Sequence, residues 1–552
     1  MVVSNLPVFN RPKVVLQEFD LTLIGGRPVG TIGFVNGTFK KGSLKPQYIT
    51  GEIEQFYDKY GEYADPSLSF DHDTCTSFLY SKAPMLVNRV VASDALHSAL
   101  FVLIDEDENY GDRLLFIPAS SGKGYANGYE NGFTGVALLK FDDELITGNT
   151  FAMTVSDGTT TTPVSVAFST DHATTMQNIA DAITTALNGL GTGGYATVYS
   201  EPTLGNSNLT IVIVSPWNAT VTYSGESVTS GSTQATPLIV DPEDCWFATF
   251  FAENPGEWSK DYGIKISDLD QGVRERYKLT FSAAVVTGGS IAMTINDTAI
   301  TPVAYTTSSD NTLTLLATEL ASHPDIRSAT VVSTPGGADN DRVIQIEAEY
   351  PKLNSLVFTS VGVTGGSTNP TIAIERTLTG KEAAGFFTLG IYNRSSPNYP
   401  SETYTLTPYP YRNKAGEQTQ YTRMNDNGAQ PSGILRAVFN SEFTSNYAAY
   451  KTILDKMMKE DFQFRTTIAY LNGGEDGSLP TSGQMISALS KFKDRVRYPV
   501  SMLLNGGRTV IEYQKALVSL AETRGDCVAI LDLPTSAQSS AQAAREFRLY
   551  TL

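Results

Sequence analysis

Apolar and polar residues follow one another in the same order in two stretches in the middle of the chain. Gly148 to Thr170 reads GNTFAMTVSDGTTTTPVSVAFST, and Gly288 to Ser309 reads GGSIAMTINDTAITPVAYTTSS. Ala152-Met153-Thr154 answers Ala292-Met293-Thr294, Pro163-Val164 answers Pro302-Val303, and Asp171 answers Asp310. Further on, Ala196-Thr197-Val198 answers Ala329-Thr330-Val331, Pro202 answers Pro335, and Gly231-Ser232-Thr233 answers Gly366-Ser367-Thr368. The offset falls only from about 140 to about 133, so register survives small deletions and the pattern is an internal duplication. Each copy predicts two strands (FAMTV and VSVAF, then IAMTI and VAYTT) around a turn with Asp-Gly or Asn-Asp. A helix follows. Met176, Ile179, Ala180, Ile183 and Leu187 share one face in the first copy, and Leu313, Leu316 and Leu320 do so in the second. Two more strands close each unit (LTIVIV and VTY; VIQIEA and LVFTS), giving a compact two-layer module.

The flanks have another texture. VGTIGFVNG, residues 29–37, predicts a buried strand ending in a turn. Helices are expected over 52–60, with Ile53, Phe56 and Tyr57 on one face, and over 73–81, before a strand in MLVNRVV. Residues 245–269 are apolar, turn at Asn254-Pro255-Gly256, then alternate; GFFTLGIYNR and ETYTLT read as paired strands. From 435 the pattern becomes α/β. A helix over 445–459 has Tyr450, Ile453, Leu454 and Met457 inward, and Ser482 caps a second. The strand YPVSMLLNGG, a helix that Gly525 ends, the strand CVAILDLP and a helix over 536–550 follow, which implies a parallel sheet with helices against it. The expected fold class is multidomain α+β, with a C-terminal α/β domain and two inserted, mutually similar β-rich modules. The expected boundaries are an arm at 1–27, a base domain at 28–135, module 1 at 136–240, return strands at 241–275, module 2 at 276–377, base strands and a loop at 378–434, and the C-terminal domain at 435–552.

Charge sharpens this division. The 552 residues hold 58 acids and 40 bases, a formal net charge of −18, which disfavours a general nucleic-acid binder. From 435 onward 14 Lys and Arg stand against 12 Asp and Glu, so the acidic excess lies upstream. Residues 141–235 contain no Lys or Arg and read as strands and turns with a solvated acidic surface. Cys75, Cys245 and Cys527 are no disulfide framework and fit a reducing cytoplasm. The four histidines (His72, His97, His172, His323) are far apart, which weakens a histidine-based enzyme. The N-terminus shows no secretory signal, and no apolar run reaches the ~18 residues of a membrane span.

Candidate chemistry is thin. Gly506-Gly507, between a strand and a helix, could seat a phosphate, as an enzyme built on the α/β part would need, but no Gly-Lys-Ser/Thr or GxGxxG accompanies it. Asp71-His72-Asp73 with Cys75 has metal-ligand types but no second cluster, and an acidic helix start explains it as well. Arg524-Gly525-Asp526 looks like an adhesive tripeptide, but it sits at a helix end before an expected buried strand, which points to helix termination. Glu475-Asp476 is a paired carboxylate without a partner acid. Lys491, Lys493, Arg495 and Arg497 form a basic run: a solvated helix face, or a patch for an acidic protein partner. No residue is assigned a catalytic, cofactor-binding or metal-binding role.

Several segments, in order, resemble the contractile-tail sheath proteins of myoviruses. They are VGTIGFVNGTFKKGSLKPQYITGEIEQFYDKYG (29–61), FLYSKAPMLVNRVV (78–91), FFAENPGEWSKDYGIKI (250–266), whose Pro-Gly-Glu-Trp turn is the most specific, and ALVSLAETRGDCVAILDLP (516–534). The resemblance implies a virion subunit of a large phage, assembled in the host cytoplasm. Stacked rings of this chain would surround a tail tube, held by arms that add strands to neighbouring sheets, and would contract to drive the tube through the host envelope. Residues 6–23 are the candidate arm, an intrachain edge strand being the other reading. The partners implied are further copies, the tube protein, and baseplate and terminator proteins, with no membrane, nucleic acid, cofactor or catalysis. The modules fall where the family tolerates insertions, on the outer side. Sheath sequences continue well beyond the last Pro segment, so a C-terminally truncated, monomeric form is expected. The other expectation is a tail fibre or adhesin built on the modules.

Overall fold

The computed structural model describes residues 31–62, 69–105, 113–126, 135–190, 194–201, 206–214, 221–232, 234–267, 272–332, 342–350, 353–381, 387–409, 420–425, 431–457, 467–533 and 541–550. The expected arm, the Pro202 and Pro335 pair, and the start of the last helix lie outside them. The protein is a multidomain mixture of helices and sheets. It forms two compact units, Met1–Ala92 with Ser478–Leu552, and Ser93–Gly477.

The first unit joins both ends of the sequence in one sheet. Strand Gly33–Gly37 lies parallel to Met85–Arg89 on one side and to Met502–Leu504 on the other. Val528–Ile530 extends the sheet in parallel beyond Met502–Leu504, and Gln47–Ile49 closes the opposite edge antiparallel. Gly33–Gly37 and Met85–Arg89 are buried throughout, as strands covered on both faces must be. Phe34, Leu86 and Leu503 meet Phe492, Tyr513 and Leu517 on the side of helices Ser482–Leu489 and Ile511–Arg524. Val35, Val87 and Leu504 meet Phe56, Tyr60 and Leu79 of helices Ile53–Tyr60 and Ser69–Leu79.

The C-terminal α/β pattern therefore finds its parallel partners at the other end of the chain, and it begins at 478 rather than 435. Strand Leu435–Phe439 instead pairs antiparallel with Trp246–Ala252 in the second unit, and Tyr450, Ile453 and Met457 enter that unit's core. Alternation reveals a strand but not its partner, so the sequence placed this segment on the wrong side of the boundary. The helix expected over 445–459 is Tyr447–Met457 among the described residues, and a further short helix, Ser441–Ser445, precedes it; the two are separated at Asn446, which is extended (φ −116°, ψ 104°) and whose side chain accepts from the Ala448 amide.

In the second unit, two four-stranded sheets form the body. One has the order Leu435–Phe439, Trp246–Ala252, Ala99–Asp105, Arg113–Pro118; the other has Ser396–Leu406, Phe387–Asn393, Tyr262–Ser267, Ala469–Tyr470. Leu100, Val102 and Phe250 of the first meet Ile264, Leu389 and Ile391 of the second.

The duplication is carried into topology. Module 1 has a sheet in the order Tyr195–Glu201, Asn206–Val214, Val136–Phe141, Pro237–Val240, and module 2 repeats it as Ile326–Val331, Val343–Ala348, Arg276–Phe281, Ile372–Leu378. A smaller sheet centred on Thr150–Ser156 is matched by one centred on Ser290–Ile295. Helix His172–Gly189 corresponds to Ser309–Ala321, with Met176, Ile179 and Ile183 in the places of Leu313, Leu316 and Leu320. Local hydrogen bonds match too. Leu145 N–H donates to His172 Nδ1 (3.0 Å) where Val285 N–H donates to Ser309 Oγ (3.1 Å).

These bonds correct two sequence equivalences. Asp171 caps its helix by accepting from Thr174 N–H (2.7 Å); the residue that accepts likewise in module 2, from Asn311 N–H (3.2 Å), is Ser308, not Asp310. Val303 lies opposite Ile291, the place that Val166, not Val164, holds opposite Phe151. The cause is a shortened hairpin. Residues 157–160 link Ser156 to Thr161 in module 1, whereas Asn296-Asp297 alone links Ile295 to Thr298. Both residues of the short turn have positive φ (48° and 65°), as a tight hairpin turn requires.

The expected solvated surface of module 1 holds for only part of it. Val136, Leu138, Val212 and Val214 point away from the module's helix and are buried against Phe101, Leu103, Trp246 and Phe251 of the body.

Candidate functional site

Asp71, His72, Asp73 and Cys75 all lie on helix Ser69–Leu79, but they do not converge on a metal. Buried Asp71 accepts from Arg508 Nη1 (2.5 Å) and Nη2 (2.6 Å), and from the amide and hydroxyl of Thr38 (2.8 Å each). That donor set uses both carboxylate oxygens. His72 packs edge-on against Phe39 and Phe56, with ring centroids 5.2 and 5.3 Å away, and burial lowers its pKa towards the neutral ring. Burial pushes the Cys75 thiol well up, away from the reactive thiolate. Among the described residues no group of three or more His, Cys, Asp or Glu is placed to hold a metal ion.

Gly506-Gly507 makes a turn that the chain fills itself. The Gly507 amide, which could face a phosphate, donates to Asp532 Oδ2 (2.7 Å), and Asn505 Nδ2 donates to the same oxygen (2.9 Å). A Cβ on Gly506 would lie 2.5 Å from Asp71 Oδ1, and one on Gly507 2.5 Å from Phe70 Cβ. Both glycines, at φ 70° and 75°, answer to packing.

Gly525 ends its helix at φ 69°, its amide donating to Ala521 O (2.9 Å). Arg524 does more than precede it. Its side chain is fully buried and donates to the Phe492 (2.6 Å) and Tyr498 (3.0 Å) carbonyls and to Asp526. It thereby anchors the loop that carries the basic run. Only Lys491 and Lys493 of the run lie on a helix, a short 3-10 one, and Arg495 and Arg497 lie in the loop after it. Thr481, not Ser482, caps helix Ser482–Leu489 through a capping box with Gln484, and a 3-10 turn, Ser490–Lys493, follows. Lys491, Lys493, Arg495 and Arg497 are exposed around Val496, which is 87% exposed, while Phe492 between them is buried.

Glu475 and Asp476 are structural. Glu475 exchanges both backbone hydrogen bonds with Leu96 (2.9 and 3.0 Å), and Asp476 Oδ1 accepts from the Glu257 amide (3.1 Å). They fasten the Pro255-Gly256-Glu257-Trp258 turn, where Trp258 Nε1 donates to Pro255 O (3.1 Å) and Gly256 N–H to Leu96 O (3.0 Å). The histidines stay apart and act locally. His97 Nδ1 lies 2.8 Å from Ala252 O, and His323 Nδ1 accepts from the Asp325 amide (3.2 Å).

Sequence reading missed the buried arginines. Arg89 donates to the carbonyls of Phe39 (2.6 Å), Lys40 (2.9 Å) and Gly42 (3.0 Å), fixing the loop after the first strand. Arg113 and Lys140 both pair with buried Asp105, so module 1 is tied to the body by charge as well as by apolar contact. A lone Arg inside a strand-like run (MLVNRVV, DRLLFIP) was the available signal, since an arginine is buried only with partners. The strand expected in CVAILDLP is Val528–Ile530, but it is an edge strand and not a buried one: Val528 and Ile530 are 64% and 44% exposed, and among the described residues no strand pairs beyond them.

No helix of the described residues is long and apolar enough to cross a membrane. The sequence matches no family model and no curated protein.

Proposed function

We propose that the chain is a structural subunit of a contractile phage tail sheath, doing mechanical rather than chemical work. One observation carries this reading. The sheath-like segments 29–61, 78–91 and 516–534, far apart in sequence, supply four strands of one sheet whose outer strand, Val528–Ile530, has no further strand beyond it among the described residues. Strand addition there by an arm of a neighbouring copy would link subunits through main-chain hydrogen bonds, leaving side-chain contacts between bodies free to exchange during contraction. The exposed cations at 491–497 would face the tail tube. The two modules are insertions on a sheath base domain, and baseplate and terminator proteins would bound the polymer in the virion. Contraction would draw on larger buried interfaces in the final state, with the extended state kinetically trapped.

Electron microscopy of full-length protein under assembly conditions tests the proposal. Hollow tubes are expected, and Val528→Asp with Ile530→Asp should abolish them while the monomer stays folded. Full-length protein that remains monomeric throughout, or polymers indifferent to the double substitution, would count against it. Specific glycan or cell binding through residues 136–377 would favour the fibre or adhesin reading instead.

A further inference from the structure

We infer that residues 273–381 unfold as a cooperative unit of their own, clasped at the stem by Glu275, whereas module 1 unfolds only together with the body. This does not depend on the sheath reading. The chain enters and leaves module 2 at one point. Val273 N–H donates to Lys381 O and Lys381 N–H to Val273 O, both at 2.9 Å. Two residues on, the Glu275 side chain is fully buried. Its carboxylate accepts from Tyr277 Oη (2.7 Å), from the amides of Asn354 and Ser355 and the Ser355 hydroxyl (2.9 Å each), and from Gly380 N–H (3.5 Å); Arg376 Nε lies 3.4 Å away. These donors come from the first strand, the 353–355 turn, the last strand and the exit of the chain. One anion thus gathers every segment that meets at the stem, with its oxygens satisfied by protein donors.

Among the described residues module 1 has no such clasp. The first strands align Ala137 with Tyr277, which puts Gly135 in the place of Glu275. A Cβ on Gly135 would lie 2.6 Å from Pro242 and 3.0 Å from Trp246, so the body itself closes that end. The cores agree. The apolar core of module 2 takes its residues from 277–374 alone, while the sheet of module 1 also shares a core with Phe101, Leu103, Tyr125 and Phe251. A module with a complete core and a closed stem can open without exposing the body; one that serves as the body's cover cannot.

Hydrogen exchange of the full chain across a urea series tests this. Peptides from 273–381 should lose protection together in one transition, and peptides from 136–240 in another, shared with 99–118 and 246–252. Glu275→Gln should lower the midpoint of the first transition alone, by about 1 M urea. Tyr277→Phe, which removes one donor, should move the same transition by less, and serves if the Glu275 variant fails to fold. A single transition for both modules overturns the inference, as does a substitution that leaves the first transition in place or shifts both equally.

Discussion

Leu138 and Lys278 hold the same place in the first strands of modules 1 and 2, and they meet opposite surroundings. Leu138 is sealed against the body, and Lys278 stands in solvent. The same exchange runs across the sheet: Val136 for Arg276, Val212 for Gln345, Val214 for Glu347. The face towards the helix does not change in kind, with Leu139 and Ile211 answered by Leu279 and Ile344. Duplication has preserved the face that makes the module and rewritten the face that decides what the module leans on. Because side chains alternate along a strand, the two tasks are separable residue by residue.

The largest expected effect comes from removal. Replacing 136–240 with a short Gly-Ser linker would uncover Ala99, Phe101, Leu103 and Phe251, and the product should be insoluble; replacing 274–380 should leave a soluble chain with native exchange protection at 99–105. Equal behaviour of the two variants would erase the distinction drawn between the modules. A single substitution should reproduce much of this. Leu138→Lys buries a charge without a partner and should cost at least about 3 kcal/mol, whereas Lys278→Leu should stay within about 0.5 kcal/mol in chemical denaturation.

The hairpins give a smaller contrast. Asp157 accepts from the amides of Thr159 (2.8 Å) and Thr160 (2.6 Å), so Asp157→Gly should weaken module 1, read as a lower denaturation midpoint. Asp297 sits at positive φ in the two-residue turn, so Asp297→Gly should strengthen module 2 by about 0.5 kcal/mol. The smallest effect is acid fraying. Backbone donation from Thr174 holds the Asp171 carboxyl below its ordinary value of 3.8. Its contribution is complete above that value and is lost as pH falls through the lowered one. Exchange at the Thr174 amide should therefore rise in strong acid after correction for intrinsic rates, while Asn311, capped by the hydroxyl of Ser308, should not respond.

Much of this was legible in the sequence. The helical faces Met176–Ile179–Ile183 and Leu313–Leu316–Leu320 and the register of Ala196–Val198 with Ala329–Val331 could be read from spacing, because each is a local pattern repeated twice. The partner of strand Leu435–Phe439 could not, since alternation says nothing about which distant strand completes a sheet. The alignment slipped at Pro163 and Pro302 because similar dipeptides fell on either side of a hairpin that had lost residues. Of the candidate sites, Asp71 and Gly506-Gly507 looked like ligand chemistry only while their partners, Arg508 and Asp532, were unknown. Sequence alone showed the carboxylate and the glycines, and the structure supplied the groups that satisfy them.

The sheet that joins Gly33–Gly37 to Met502–Leu504 and Val528–Ile530 has a consequence for synthesis. Its strands before residue 93 are made first and must wait while residues 93–477 are made, roughly 20 to 80 s at about 5–20 residues per second. Until then the parallel ladder cannot close and its outer edge does not exist. A nascent chain therefore offers its neighbours no seam on which to polymerise. The order of the sequence thus delays the surface proposed to recruit the next copy until the segments on both sides of residues 93–477 have been made.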